Sequence, residues 1–120
     1  MNEAPRDDLR ERTKAFALGI LRLYCALPRT TEAQVLGKQV LRSGTSVGAQ
    51  YREARRARST AEFVSKIEAG LQELEETMYW LELLTDGGIV TGQRCADLYK
   101  EADELMAILV SSVKTAKRHN

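Results

Sequence analysis

Four stretches of apolar residues repeat at three- and four-residue spacing along this chain, and three short breaks divide them. That spacing marks one face of an α-helix. No stretch alternates apolar and polar residues as a half-buried strand would. In the first stretch Phe16, Ile20, Leu23 and Leu27 share a face, predicting a helix over about 7–27. Asp7 and Asp8 suit its positive N-terminal end, and Pro28 stops it. In the second, Leu36, Val40, Gly44, Val47 and Tyr51 predict a helix over about 32–56, with Thr30 or Thr31 as its N-cap.

The third stretch opens on Ser59 with Glu62 three residues later, the form of a capping box. Phe63, Ile67, Leu71, Leu74, Met78 and Leu81 carry it over about 60–86, and Asp86-Gly87-Gly88 reads as its C-terminal turn. The fourth, over about 91–117, places Cys95, Leu98, Ala102, Leu105, Leu109 and Val113 on one face, with Lys114, Lys117 and Arg118 at its negative end. The only prolines are Pro5 and Pro28, so nothing else interrupts long helices. Four helices joined by short turns in 120 residues give an all-α, antiparallel up-down four-helix bundle with one core. The rival architecture is a three-helix bundle in which the second helix breaks at Ser43-Gly44-Thr45-Ser46, where helix propensity is low.

No apolar run reaches the roughly 20 residues needed to span a membrane. Met1 to Arg12 is charged and lacks the apolar stretch of a signal peptide, so a cytoplasmic location without membrane contact is expected. Cys25 and Cys95 lie within apolar patterns and are expected as reduced, buried thiols. Catalytic equipment is absent from the pattern. His119 is the sole histidine and sits at the chain end, so no histidine-based triad or His-rich metal site forms within one chain. No phosphate-binding Gly-rich loop occurs, and Glu73, Glu75 and Glu76 lack the Glu-x-x-His pairing of a di-metal bundle. The expectation is a non-enzyme without cofactor or metal.

The segment Arg42 to Ala54 is the least ordinary part of the chain. Gly44 and Gly48 lie four apart on one helix face, and each costs about 1 kcal/mol against alanine in a helix interior. With Ser43 they mark close approach of another element, with three readings: packing against a neighbouring helix, a subunit interface or a ligand passage. Basic residues overlap and follow: Arg42, Arg52, Arg55, Arg56 and Arg58 stand against one carboxylate, Glu53. Arginine's planar fork suits phosphate, so this cluster is the candidate nucleic-acid site. The competing role is pairing with the carboxylates of the third helix. Tyr51 is a candidate stacking platform beside the arginines, or a core residue. Tyr79 and Trp80, adjacent on the third helix, are expected to point in different directions, into the core or onto an interface.

These residues also carry a family pattern. Leu27-Pro28, Glu32, the block Val40-Leu41-Arg42-Ser43-Gly44-Thr45-Ser46-Val47-Gly48-Ala49 and Arg52-Glu53-Ala54 are followed by Ser59, Phe63, Lys66, Ala69, Leu71, Glu73, Glu76, Thr77, Tyr79-Trp80-Leu81 and Leu83-Leu84. The chain thereby resembles the four-helix-bundle family that includes proteins encoded in intervening sequences of bacterial 23S ribosomal RNA genes. The resemblance covers about residues 14–110, and Gln50 departs from it where asparagine is usual. It implies a left-handed antiparallel bundle, a ring-like homopentamer and no established enzymatic activity. It also implies a distant likeness in fold to the accessory variability proteins of diversity-generating retroelements. Those bind nucleic acid and a reverse transcriptase through a basic surface. Two readings follow: an oligomer that binds RNA or DNA backbone, and a scaffold that binds a protein partner without nucleic acid.

Overall fold

The computed structural model describes residues 4–119, with side chains from Asp8 onward. It contains four helices: α1 (Ala4–Cys25), α2 (Thr31–Arg55), α3 (Thr60–Asp86) and α4 (Gln93–Arg118). The helices pack in cyclic order, each against its sequence neighbours and α1 against α4. The pairings fix the directions. Ile20 meets Gly44 and Thr13 meets Gly48 between α1 and α2. Ser43 meets Thr77 between α2 and α3, Thr85 meets Cys95 between α3 and α4, and Arg12 meets Glu101 between α1 and α4. Second contacts fix the remaining directions: Glu53 with Lys66 between α2 and α3, Glu82 with Tyr99 between α3 and α4, and Gly19 with Leu98 between α1 and α4. In each helix pair one number rises as the other falls, so the bundle is up-down and antiparallel.

All of the first and fourth apolar stripes are buried. On α3 the buried face is Ile67, Gly70, Leu74, Thr77, Leu81 and Leu84, while Phe63, Leu71 and Met78 are half-buried beside it. The small residues of α2 determine how closely its neighbours approach. A Cβ on Gly44 would lie 2.7 Å from Ile20 Cγ1, and one on Gly48 would lie 3.2 Å from Thr13 Oγ1. On the side facing α3, Thr77 Oγ1 sits 2.7 Å from Ser43 Oγ and 2.7 Å from the Glu73 carbonyl oxygen, so two fully buried hydroxyls satisfy each other. Ser43-Gly44-Thr45-Ser46 therefore lies inside one continuous helix, and the three-helix alternative does not hold. The low propensity of the segment is outweighed by the packing it permits on both sides.

The helix ends follow local chemistry. Thr30 caps α2, its Oγ1 accepting from Ala33 N–H at 3.3 Å. Ser59 caps α3 through Glu62 N–H at 3.0 Å, and the Glu62 carboxylate accepts from Arg58 N–H at 3.1 Å, one residue before the donor of a standard capping box. After α3, Gly88 takes φ +73°, with Ile89 N–H on Leu84 C=O and Gly88 N–H on Thr85 C=O. That is a Schellman turn, which needs a residue free to adopt the left-handed conformation. The ends differ from expectation by a few residues. The first helix ends at Cys25 because residues 26 and 27 tighten into a turn, and the fourth starts at Gln93 because Gly92, at φ +106°, cannot be its first helical residue. The Asp7 side chain, expected to favour the start of the first helix, lies outside the described residues.

Cys25 is exposed, not buried, because it sits about 200° around α1 from Leu23, while Cys95 is buried as expected. The α1–α4 contact is the least extensive of the four. It is held by Arg12, whose guanidinium donates to both Glu101 oxygens at 2.6 and 2.9 Å and to Glu104 at 3.1 Å. These carboxylates hold the Arg12 proton more tightly than in water, the Glu101 hydrogen bonds contributing most.

Two glycines separate packing from propensity. Gly70 has room for a methyl group, whose nearest neighbour would be Gln50 Cβ at 3.6 Å, whereas Gly44 has none. Gly70→Ala is expected to stabilise the protein by about 0.5–1 kcal/mol. Gly44→Ala is expected to lose about 1 kcal/mol, because overpacking against Ile20 exceeds the gain in propensity. Urea denaturation of the two variants checks both signs.

Candidate nucleic-acid interface at the α2–α3 turn

The last turn of α2 buries Tyr51 and Ala54 and turns Arg52, Arg55 and Arg56 to solvent. Positions three and four apart share a helix face, so burying one pair directs the other residues outward together. Arg56 caps the helix, its N–H bonding Glu53 C=O, and Ala57 N–H bonds Ala54 C=O. The Ser59 cap then starts α3 at once, which holds Arg58 at the tip of a short, hydrogen-bonded turn. Cations at this end are favoured by the negative pole of α2. That does not explain Arg10, which α1 brings to the same cleft.

Arg10, Tyr51, Arg52, Glu53, Arg55 and Arg56 line this cleft, of about 600 Å³. Among the described residues none of Arg10, Arg52, Arg55, Arg56 and Arg58 forms an ion pair. The one carboxylate of the segment, Glu53, is held by Lys66 of α3 at 2.7 Å. That hydrogen bond raises the Lys66 pKa, with the charge of Glu53 adding to it. Arg55 lies against Tyr51, its Nη1 3.4 Å from the phenol oxygen and its guanidinium carbon 6.0 Å from the ring centre. The C-terminal part of α4 reaches the same end of the bundle and adds exposed Lys114 and Arg118.

Other candidates are placed differently. Arg42 lies ten residues before Arg52, about 15 Å along α2. Its guanidinium bonds Glu73 at 3.3 Å and Glu76 at 2.8 Å on α3, the pairing role weighed for the whole cluster. Tyr51 is 4% exposed, so its ring is no open stacking platform. Ser43, Gly44 and Gly48 pack within the chain against Thr77, Ile20 and Thr13. Tyr79 and Trp80 do not diverge, since their ring centres are 5.2 Å apart at 56°. Tyr79 is 54% exposed, and the buried Trp80 Nε1 has no acceptor among the described residues. Two residues escaped the sequence reading. Arg10 lies 42 positions from Arg52, and only the fold unites them. Phe63 reads as core by its spacing, yet it is half-buried and lines an apolar groove beside the arginines. Among the described residues no three His, Cys, Asp or Glu side chains are grouped to hold a metal ion, and no helix is long and apolar enough to cross a membrane.

Lys66 and Tyr99 each contribute to the alkaline behaviour. The Tyr99 hydroxyl donates to Glu82 at 2.9 Å, and this bond, with smaller contributions from desolvation and nearby carboxylates, raises its pKa. For both groups the folded value exceeds the unfolded one. Their stabilisation is therefore complete below about pH 10 and is lost as the pH rises through the folded values. Melting temperatures followed from about pH 9 upward should fall less steeply in Lys66→Met and Tyr99→Phe than in the parent protein.

The sequence profile of the 23S rRNA-intervening sequence proteins matches residues 8–111. A crystal structure of a protein of unknown function from the S23 ribosomal protein family of Bacteroides thetaiotaomicron superposes with a TM-score of 0.83 at 38% identity, covering 88% of this chain and 98% of that one. No curated protein sequence matches.

Proposed function

This chain belongs to the 23S rRNA-intervening sequence protein family, and on that premise we propose that it is a non-enzymatic, homo-oligomeric, cytoplasmic protein that holds the backbone of RNA or DNA on the basic end of its bundle. The observation that carries the reading is the set of exposed arginines, Arg10, Arg52, Arg55, Arg56 and Arg58, left without ion pairs among the described residues while Lys66 occupies Glu53. Guanidinium groups in that state donate in pairs to phosphate and need no base sequence to do so. The net charge of the chain is only +1, so the effect depends on where the charges lie.

Surface composition supports an oligomer. Leu18, Leu21, Val35 and Tyr79 are large apolar side chains with 40–57% of their surface exposed. A ring, a pentamer by family resemblance, would repeat the arginine cluster around one axis and add its fields. A second reading, a scaffold for a protein partner, is favoured by exposed Tyr79 beside Trp80, whose indole N–H lacks an acceptor among the described residues.

A salt titration of binding to labelled RNA and DNA, on protein of known solution mass, tests the first reading. With about four phosphate contacts per chain, log affinity against log salt should fall with a slope of roughly −3 to −4. Arg55→Glu with Arg56→Glu should reduce low-salt affinity at least roughly tenfold. Arg42→Gln, which disturbs only the contacts to Glu73 and Glu76, should leave it within about twofold. Binding untouched by the double reversal would move the site elsewhere, and no binding at low salt would favour the scaffold.

A further inference from the structure

The cationic cleft does not stand alone. Tyr51 and Arg55 also form one wall of a second groove, of about 890 Å³, which continues between the α2–α3 turn and α4. Its other walls are mainly apolar, with Leu9 from α1, Ala54 from α2, Phe63 from the first turn of α3 and Ile108 from α4, although the Asp8 side chain and hydroxyls of α4 also line it. A groove of this size lies within the range of sites that enclose a drug-sized ligand. Phe63 and Ile108 are half-buried, so part of each is open to the groove. Buried Tyr51 acts from behind by positioning Arg55, through its phenol oxygen at 3.4 Å and its ring at 6.0 Å.

We infer that the site takes single-stranded nucleic acid, with phosphates on Arg52, Arg55 and Arg56 and an unstacked base in the apolar groove against Phe63. This rests on the backbone-binding reading above and adds to it the form of the ligand. The geometry favours a strand over a duplex for a simple reason. A nucleotide is charged at one end and flat and apolar-faced at the other, and Arg55 stands where the two matching clefts join. In a duplex the base faces are stacked and paired, so only the cationic half of the site could be used. A single strand can fill both halves, and stacking on an aromatic ring tolerates any base.

The test compares three probes at one low salt concentration: a labelled single-stranded oligonucleotide, the same length of abasic sugar-phosphate strand, and a duplex. The intact protein should bind the base-containing strand roughly tenfold more tightly than the abasic strand. Phe63→Leu keeps an apolar residue but removes the ring, and Ile108→Gln keeps the size but not the apolar surface. Each should lower affinity for the base-containing strand by roughly fivefold or more and leave the abasic strand and duplex unchanged. Circular dichroism and solution mass of each variant show that fold and assembly are intact. Equal affinity for abasic and base-containing strands would overturn the base-binding groove while leaving the backbone reading standing. Absence of binding to all three would overturn both. A change of solution mass in Phe63→Leu, without loss of strand preference, would assign the groove to a subunit contact instead.

Discussion

The seating of Ile20 on the bare backbone of Gly44 fixes the bundle. A methyl group there would stand 2.7 Å from Ile20 Cγ1, so α1 can lie where it does only because that methyl is missing. One turn further along α2, Thr13 covers Gly48 in the same way, and on its other side Ser43 receives Thr77. Packed interiors tolerate little deviation in volume. With both neighbours registered against small residues, the rotation of α2 about its axis is determined. That rotation turns Tyr51 and Ala54 inward and Arg52, Arg55 and Arg56 outward. The basic surface is in this sense a product of glycine packing two turns earlier in the helix.

The helical architecture was legible because each apolar stripe is long and regular, as in Cys95 to Val113, where every expected core position is buried. Caps at Thr30 and Ser59 were readable from side-chain chemistry. Properties set by tertiary contact were harder to read. Cys25 looked buried because its neighbours are apolar, yet helix rotation places it outside. Arg42 looked like its fellow arginines, and only the register of α2 against α3 shows Glu73 and Glu76 waiting for it. Arg10 and Phe63 join the site from other helices, and one-dimensional spacing carries no signal for that.

The distribution of charge shows a consistent division. Carboxylates along the seams meet cations from the adjoining helix: Glu101 and Glu104 with Arg12, Glu73 and Glu76 with Arg42, Glu53 with Lys66, Glu68 with Lys117. Exposed pairs of this kind contribute little stability individually. Their larger effect is on the field outside the protein. They occupy acidic groups along the length of the bundle, so a nearly neutral chain can still be positive at one end.

Cys25 ends α1 at the pole of the bundle opposite the arginines. Fifteen residues of helix, about 22 Å, separate it from Arg10. The other thiol, Cys95, is sealed in the core. The chain thus offers one exposed thiol, and it lies away from the cationic end. A fluorophore attached there would report on tumbling and assembly without entering the cleft. Tethering the protein to a sensor through the same sulfur would leave its cationic end directed into solution.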